Sequence, residues 1–168
     1  MALSACTADV TAGGSGAEGP PVGESEDGSL PEGTDLSPFD TEHVAIRKLD
    51  AGLLAAVRAA AEDARHAGVE LRVTSGWRSK RYQQRLFDEA VVRYGSAEEA
   101  RRLVSTPEKS AHVIGKAIDI GPTDAADWLI RNGADHGLCQ AYANEMWHFE
   151  LLTSPGGTCP VPRADAAE

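Results

Sequence analysis

Apolar and polar positions along the chain change period several times, and each change marks an element. After Asp50, a side chain suited to capping a helix, Leu53, Leu54, Val57, Ala60, Ala61 and Ala64 recur at helical spacing to about His66, and Gly68 ends the run. Residues 69–74 alternate apolar and polar at period two and predict a strand. Ser79 is placed to cap a second helix through Tyr82, Leu86, Phe87 and Val91 to about Tyr94, and Ser96 a short third one ending near Val104. Residues 117–120 predict a short apolar strand. Asp124 opens a helix through Trp128 and Leu129 to about Asn132, with Gly133 as its C-cap, and residues 147–152 predict a last strand. Residues 43–49 alternate weakly and predict a strand or an extended lead-in. The order lacks a βαβ rhythm and shows no internal repeat. The expected fold class is therefore α+β, a small antiparallel sheet with flanking helices.

The periodic pattern begins only after residue 40. At 168 residues and 42% hydrophobic content the chain has room for one domain with a sizeable core. No run of 18 apolar residues occurs, so no transmembrane helix is expected. Residues 7–40 hold seven Gly, four Pro and eight acids, with no Lys or Arg, against a net charge of −10 for the whole chain. Such a segment has too little apolar surface to offset its ordering entropy. The expectation is a disordered acidic linker over 1–40, spanning about 30 Å as a coil, followed by a single domain over 41–168. The net acidity argues against a nucleic-acid partner, which needs a basic surface, but it belongs to residues 7–40 and says little about the partner of the folded part.

Ahead of the linker stands Leu3-Ser4-Ala5-Cys6, similar to a bacterial lipobox in which Cys6 would carry the lipid. A lipobox needs an apolar stretch of about 7 to 15 residues before it, and five residues precede Cys6. That reading requires a signal stretch upstream or one already removed; the other reading is a chance match at a frayed terminus.

Two segments raise the question of chemistry, Ser110-Ala111-His112-Val113-Ile114-Gly115-Lys116-Ala117-Ile118-Asp119 and Glu145-Met146-Trp147-His148-Phe149-Glu150. Read as a strand, the second points Trp147 and Phe149 to one face, as an aromatic anchor in the core, and His148 to the other, toward a cleft. In the first, Ile118 and Ile120 face the core and Asp119 the opposite side, where a buried acid is costly unless paired or bound to metal. With His112 on the approaching loop, the three make a His/Asp/His set. Zinc accepts such a set and keeps a fourth position for water. Glu145, three residues before His148, is within reach of that water as a general base. At the level of spacing, ordinary satisfied polar residues are the commoner reading.

The motifs S-x-H-x-x-G-x-A-x-D and E-x-W-H-F resemble those of the zinc D-Ala-D-Ala peptidases, the group of VanY-type D,D-carboxypeptidases and D,D-dipeptidases that shares a fold with the amino-terminal domain of hedgehog. A third element, Thr74-Ser75-Gly76-Trp77-Arg78-Ser79 followed by Gln83, is similar to the family's S-G-[YW]-R-S-x-x-x-Q. The resemblance runs from about residue 49 to 159. It implies one zinc ion held by His112, Asp119 and His148, Glu145 as catalytic base and proton shuttle, Arg78 as stabiliser of the oxyanion, and Gln83 and Ser110 as contacts to the substrate peptide.

The implied activity is hydrolysis of the terminal D-Ala-D-Ala bond of peptidoglycan stem peptides or their precursors, by a monomer in the bacterial cell envelope. Alternatives are an L,D-carboxypeptidase, a D,D-dipeptidase, a peptidoglycan endopeptidase, or a non-catalytic zinc-containing wall-binding module. Glu145 and Arg78 argue against the last, since a structural site needs neither. In an exported protein of this kind Cys139 and Cys159 are expected to pair, with Cys6 left for the lipid. His43, His66 and His136 lie outside any motif and are expected at the surface or at helix ends. Trp128 is expected in the core, and the charges between Arg81 and Arg102 on a solvated helical face.

Overall fold

Residues 26–168 are described by the computed structural model, and four short strands organise them. These are β1 Arg72–Ser75, β2 Ala117–Gly121, β3 Leu138–Gln140 and β4 His148–Leu151, in an antiparallel sheet of order β1-β2-β4-β3. Five helices accompany it: α1 Val44–Arg47, α2 Ala51–His66, α3 Lys80–Tyr94, α4 Ala97–Arg101 and α5 Thr123–Asn132. The α+β class with a small antiparallel sheet is thus as expected.

One face of the sheet makes the core. Val73, Ile118, Ile120 and Phe149 pack against Leu53, Val57, Ala60, Ala61 and Ala64 of α2 and Ala125, Ala126 and Leu129 of α5. The α2 stripe is the helical repeat seen in the sequence. Asp50 caps it by accepting from the N–H groups of Gly52 and Leu53 at 2.9 and 3.1 Å. Ser79 and Ser96 cap α3 and α4 in the same way. A smaller cluster of Phe87, Ala90 and Ala100 joins α3 to α4.

The other face carries the polar row. In the ladder Asp119 pairs with His148 on one side and with Ser75 on the other. Strict alternation from Val73, which pairs with Ile120, would turn Ser75 toward the core. An irregularity between Val73 and Ser75 shifts the phase and aims Ser75 at the site instead.

Three expectations need correction. Residues 43–49 form no strand: α1 is a helical turn, with the His43 ring accepting from the Ala45 N–H at 3.2 Å and Val44, Ala45 and Ile46 all buried. His43 is the buried N-cap of that turn, one of the helix-end positions expected for it. Trp147 lies outside β4, is 46% exposed and is not a core anchor, whereas Phe149 is fully buried.

The third correction concerns the segment before residue 41. Residues 26–40 are packed on the domain. Leu36 and Val73 exchange backbone hydrogen bonds at 2.8 and 2.9 Å across the free edge of β1, and Pro38 is fully buried, its carbonyl accepting from Arg58 Nε at 3.1 Å. Asp35 pairs with Arg72 at 2.7 Å and Asp27 with Arg85 at 2.8 Å. Any linker therefore ends before residue 26, and Cys6 with the lipobox lies outside the described residues. A chain starting at Thr41 is expected to lose about 3 kcal/mol of stability relative to one starting at residue 26, chiefly from the burial of Leu36 and Pro38. Thermal unfolding of the two checks this; equal midpoints would return the whole segment to the linker.

Cys139 of β3 and Cys159 are bonded, with Cα atoms 5.6 Å apart. The bridge closes a loop of 20 residues and ties the C-terminal segment to the strand beside the one bearing His148. Replacing both with Ala is expected to cost about 3 kcal/mol and to lower the melting midpoint by about 10 °C. An unchanged midpoint would show that strain in the bridge offsets its entropic contribution.

Candidate active site

His112, Asp119 and His148 converge in a buried cluster on the polar face of the sheet. Asp119 and His148 arrive from paired positions of β2 and β4; His112 comes from a single helical turn, residues 111–114, that leads into β2. Three atoms face one another: His112 Nε2 and His148 Nδ1 are 3.2 Å apart, and Asp119 Oδ1 lies 3.3 Å from the first and 3.1 Å from the second.

Both rings are oriented from behind. His112 Nδ1 donates to the carbonyl of Gly76 at 2.8 Å, which leaves the Nε2 lone pair directed inward. A side chain at Gly76 would run into the Ala45 carbonyl, so only glycine lets this strand end come close enough to serve. His148 Nε2 reaches Glu150 Oε1 at 3.2 Å, and Arg163 holds that carboxylate at 3.4 Å. Such outer hydrogen bonds fix tautomer and ring angle in metal sites.

The donor set fits a tetrahedral metal. Ligand bonds of about 2.0 Å to nitrogen and oxygen place neighbouring donors about 3.3 Å apart, close to the three separations seen. The electrostatics agree. Burial works against a charge on Asp119, but His112, His148 and Arg78 outweigh it and hold the carboxyl well below its usual range. Burial, reinforced by Arg78, pushes the His112 pKa down and keeps the ring neutral. Burial also pulls on His148, yet hydrogen bonds with Asp119 and Glu150 prevail and carry it to about 9. The cluster thus favours a cation at its centre.

Glu145 stands beside the triangle. Its Oε2 is 3.8 Å from His148 Nδ1, beyond the close contacts among the three donors. Burial pushes its carboxyl up to about 7, suited to exchanging a proton near neutrality.

Arg78 follows β1 and is held by three partners: Nε donates to Ser75 Oγ at 2.8 Å, Nη1 to Gln83 Oε1 at 3.2 Å and Nη2 to Asp119 Oδ2 at 2.8 Å. A guanidinium has five N–H donors, so two remain for a ligand. Gln83 is itself fully buried and donates to the Ser105 carbonyl at 2.8 Å. A cavity of about 560 Å³ opens over the cluster, with Arg78, Gln83, Ser110, Tyr142 and Glu145 in its wall. All the site residues expected from the sequence are therefore in one place.

Three contributors were not expected: Glu150, Tyr142, whose ring lies 4.9 Å from that of His148, and the Gly76 carbonyl. Glu150 is two residues from His148 on the same strand, and strand alternation is the signal that identifies it. His136 contacts Asp63 at 3.3 Å and His66 is exposed, both away from the cluster. Trp128 is partly buried against the core as expected, and Trp77 donates from its indole to the Val113 carbonyl at 3.1 Å, bracing the turn that holds His112.

Comparison with known proteins gives a consistent set. The family model VanY, D-alanyl-D-alanine carboxypeptidase, matches residues 46–155. A D-alanyl-D-alanine carboxypeptidase of Enterococcus faecalis is 31% identical over 114 residues, 53% of this chain and 42% of the relative. The chain thus matches less than half the length of that protein. Among solved structures, a mutant of the vancomycin resistance D,D-pentapeptidase VanY from a VanB-type cassette, in complex with Zn(II), has a TM-score of 0.58 at 26% identity, covering 62% of this chain and 72% of that one. VanYB in complex with D-alanine-D-alanine has a TM-score of 0.57 at 26% identity, covering 61% and 70%.

Proposed function

The chain belongs to the VanY family of D-alanyl-D-alanine carboxypeptidases, and from that premise we propose that it is a zinc-dependent D,D-carboxypeptidase releasing the terminal D-Ala of peptidoglycan stem peptides or their precursors. The observation that carries the reading is the triangle of His112, Asp119 and His148 with Glu145 beside it at the floor of a cleft. These three residues would hold one zinc ion, which supplies a Lewis acid and a coordinated water of near-neutral pKa.

The chain's own groups do the rest. Glu145 accepts the proton of the attacking water and returns it to the departing amine. Arg78, already fixed by Ser75, Gln83 and Asp119, directs its two remaining N–H groups at the oxygen of the scissile carbonyl. Because it needs no reorganisation as charge develops there, its field acts at full strength in the transition state. Ser110, buried in the cavity wall, and Gln83 contact the peptide. A substrate of this kind places the protein outside the cytoplasm, in the cell envelope, and one chain supplies every group of the site. A lipid on Cys6 would keep it near the membrane.

The test is release of D-Ala from a D-Ala-D-Ala-ended pentapeptide, run beside the corresponding tetrapeptide and free D-Ala-D-Ala. The pentapeptide is expected to be the preferred substrate. Faster turnover of the tetrapeptide or the dipeptide would reassign the bond that is cut, and no release from any of them would contradict a catalytic role.

A further inference from the structure

A second cavity, of about 670 Å³, adjoins the first. The two share Arg78, Leu86, Asp119 and Trp147, so they meet at the proposed reaction centre and form one cleft running to either side of it. The outer wall of the second cavity is residues 28 and 30–35, the part of the chain whose composition suggested a linker. That wall is fastened at both ends. At one end the Asp27 carbonyl accepts from the Ser79 N–H at 2.8 Å and its carboxylate pairs with Arg85. Beside it Gly28, at φ +86°, lies so close to the Trp77 carbonyl that no side chain would fit. At the other end Leu36 bridges to Val73 and Pro38 is buried. The span between forms a strap across the mouth, facing Thr74 and Ser75 of β1 and Pro122.

The chemistry decides which part of a substrate each half takes. The group that protonates the leaving amine must lie on the leaving-group side of the scissile bond. Glu145 lines the first cavity and not the second. The released residue therefore occupies the first cavity, and the acyl portion, the chain that precedes the bond, has the second. We propose that residues 28–35 are the wall of the acyl-side subsite and set the preference for an extended peptide over a short acyl group. This deepens the carboxypeptidase reading and rests on it for the assignment of sides.

Two exposed wall positions are suited to a test in the full chain, Thr34→Trp and Glu32→Trp, each filling the second cavity from the strap. Binding is measured on zinc-loaded protein carrying Glu145→Gln, so that no ligand is consumed, with a D-Ala-D-Ala-ended pentapeptide and with N-acetyl-D-Ala-D-Ala. The expected result is that either Trp lowers the preference for the long ligand over the short one by tenfold or more, with melting midpoint and zinc content retained. Equal weakening of both ligands, or no change in the ratio for either variant, would overturn the proposal. The activity reading is judged separately, by D-Ala release from the wild-type chain: no release with a shifted binding ratio removes the carboxypeptidase and the assignment of sides, and keeps residues 28–35 as the wall that reads ligand length. Failure of both ligands to bind the parent protein overturns the subsite proposal.

Discussion

Replacing Glu145 with Gln is expected to lower kcat on a D-Ala-D-Ala-ended peptide by about 10²- to 10⁴-fold while the protein keeps its metal. The side chain has the same shape but can no longer take up a proton. The carboxylate sits 3.8 Å from His148 Nδ1, outside the donor triangle of 3.1 to 3.3 Å. It is thus positioned to act on a water and not to ligate. Turnover and zinc content measured on the same preparation check this. Loss of zinc from Glu145→Gln would mean that Glu145 is a ligand, and full activity would mean that the base is elsewhere.

Arg78→Ala is expected to lower kcat by about 10²- to 10³-fold, the usual effect of removing one preorganised oxyanion donor, with a smaller change in KM. Arg78→Lys should restore little. One ammonium cannot reproduce three directed bonds to Ser75, Gln83 and Asp119 while still presenting donors to a substrate. The same substitution leaves Asp119 Oδ2 without its partner, so zinc affinity is expected to fall as well. Steady-state kinetics with zinc in excess separate the two effects. Recovery of kcat in Arg78→Lys would show that charge alone matters and that the fork geometry does not.

Much of the site was legible because it rides on regular elements. The alternation of β2 and β4 puts Asp119 and His148 on the face opposite Ile118 and Phe149, and the ladder then makes them neighbours. The caps at Asp50, Ser79 and Ser96 set the helix starts. What the sequence hid lies where tertiary contacts override local pattern. The turn at 44–47 has three consecutive buried residues, so no period reveals it. β3 is only three residues long and exists by pairing with β4. Trp147 resembles a core aromatic by composition, but β4 begins one residue later and alternation does not reach it.

Residues 26–40 are the clearest case. Their Gly, Pro and acid content matches that of a linker. Two apolar residues, Leu36 and Pro38, two ion pairs from Asp27 and Asp35, and hydrogen bonds to Val73, Ser79 and Arg58 seat the segment on a sheet edge that is already formed. Composition averages over the segment, whereas docking depends on these few positions.

In the proposed mechanism one metal held by His112, Asp119 and His148 drives the hydrolysis. The measurement that bears on it most directly is titration of the chelator-stripped protein with zinc, following both metal bound and D-Ala released from the pentapeptide. Activity should be absent without metal, rise in proportion to zinc and break at one equivalent, and His148→Ala should show neither tight binding nor turnover. Full turnover in the metal-free protein, or zinc-dependent activity that survives in His148→Ala, would contradict it.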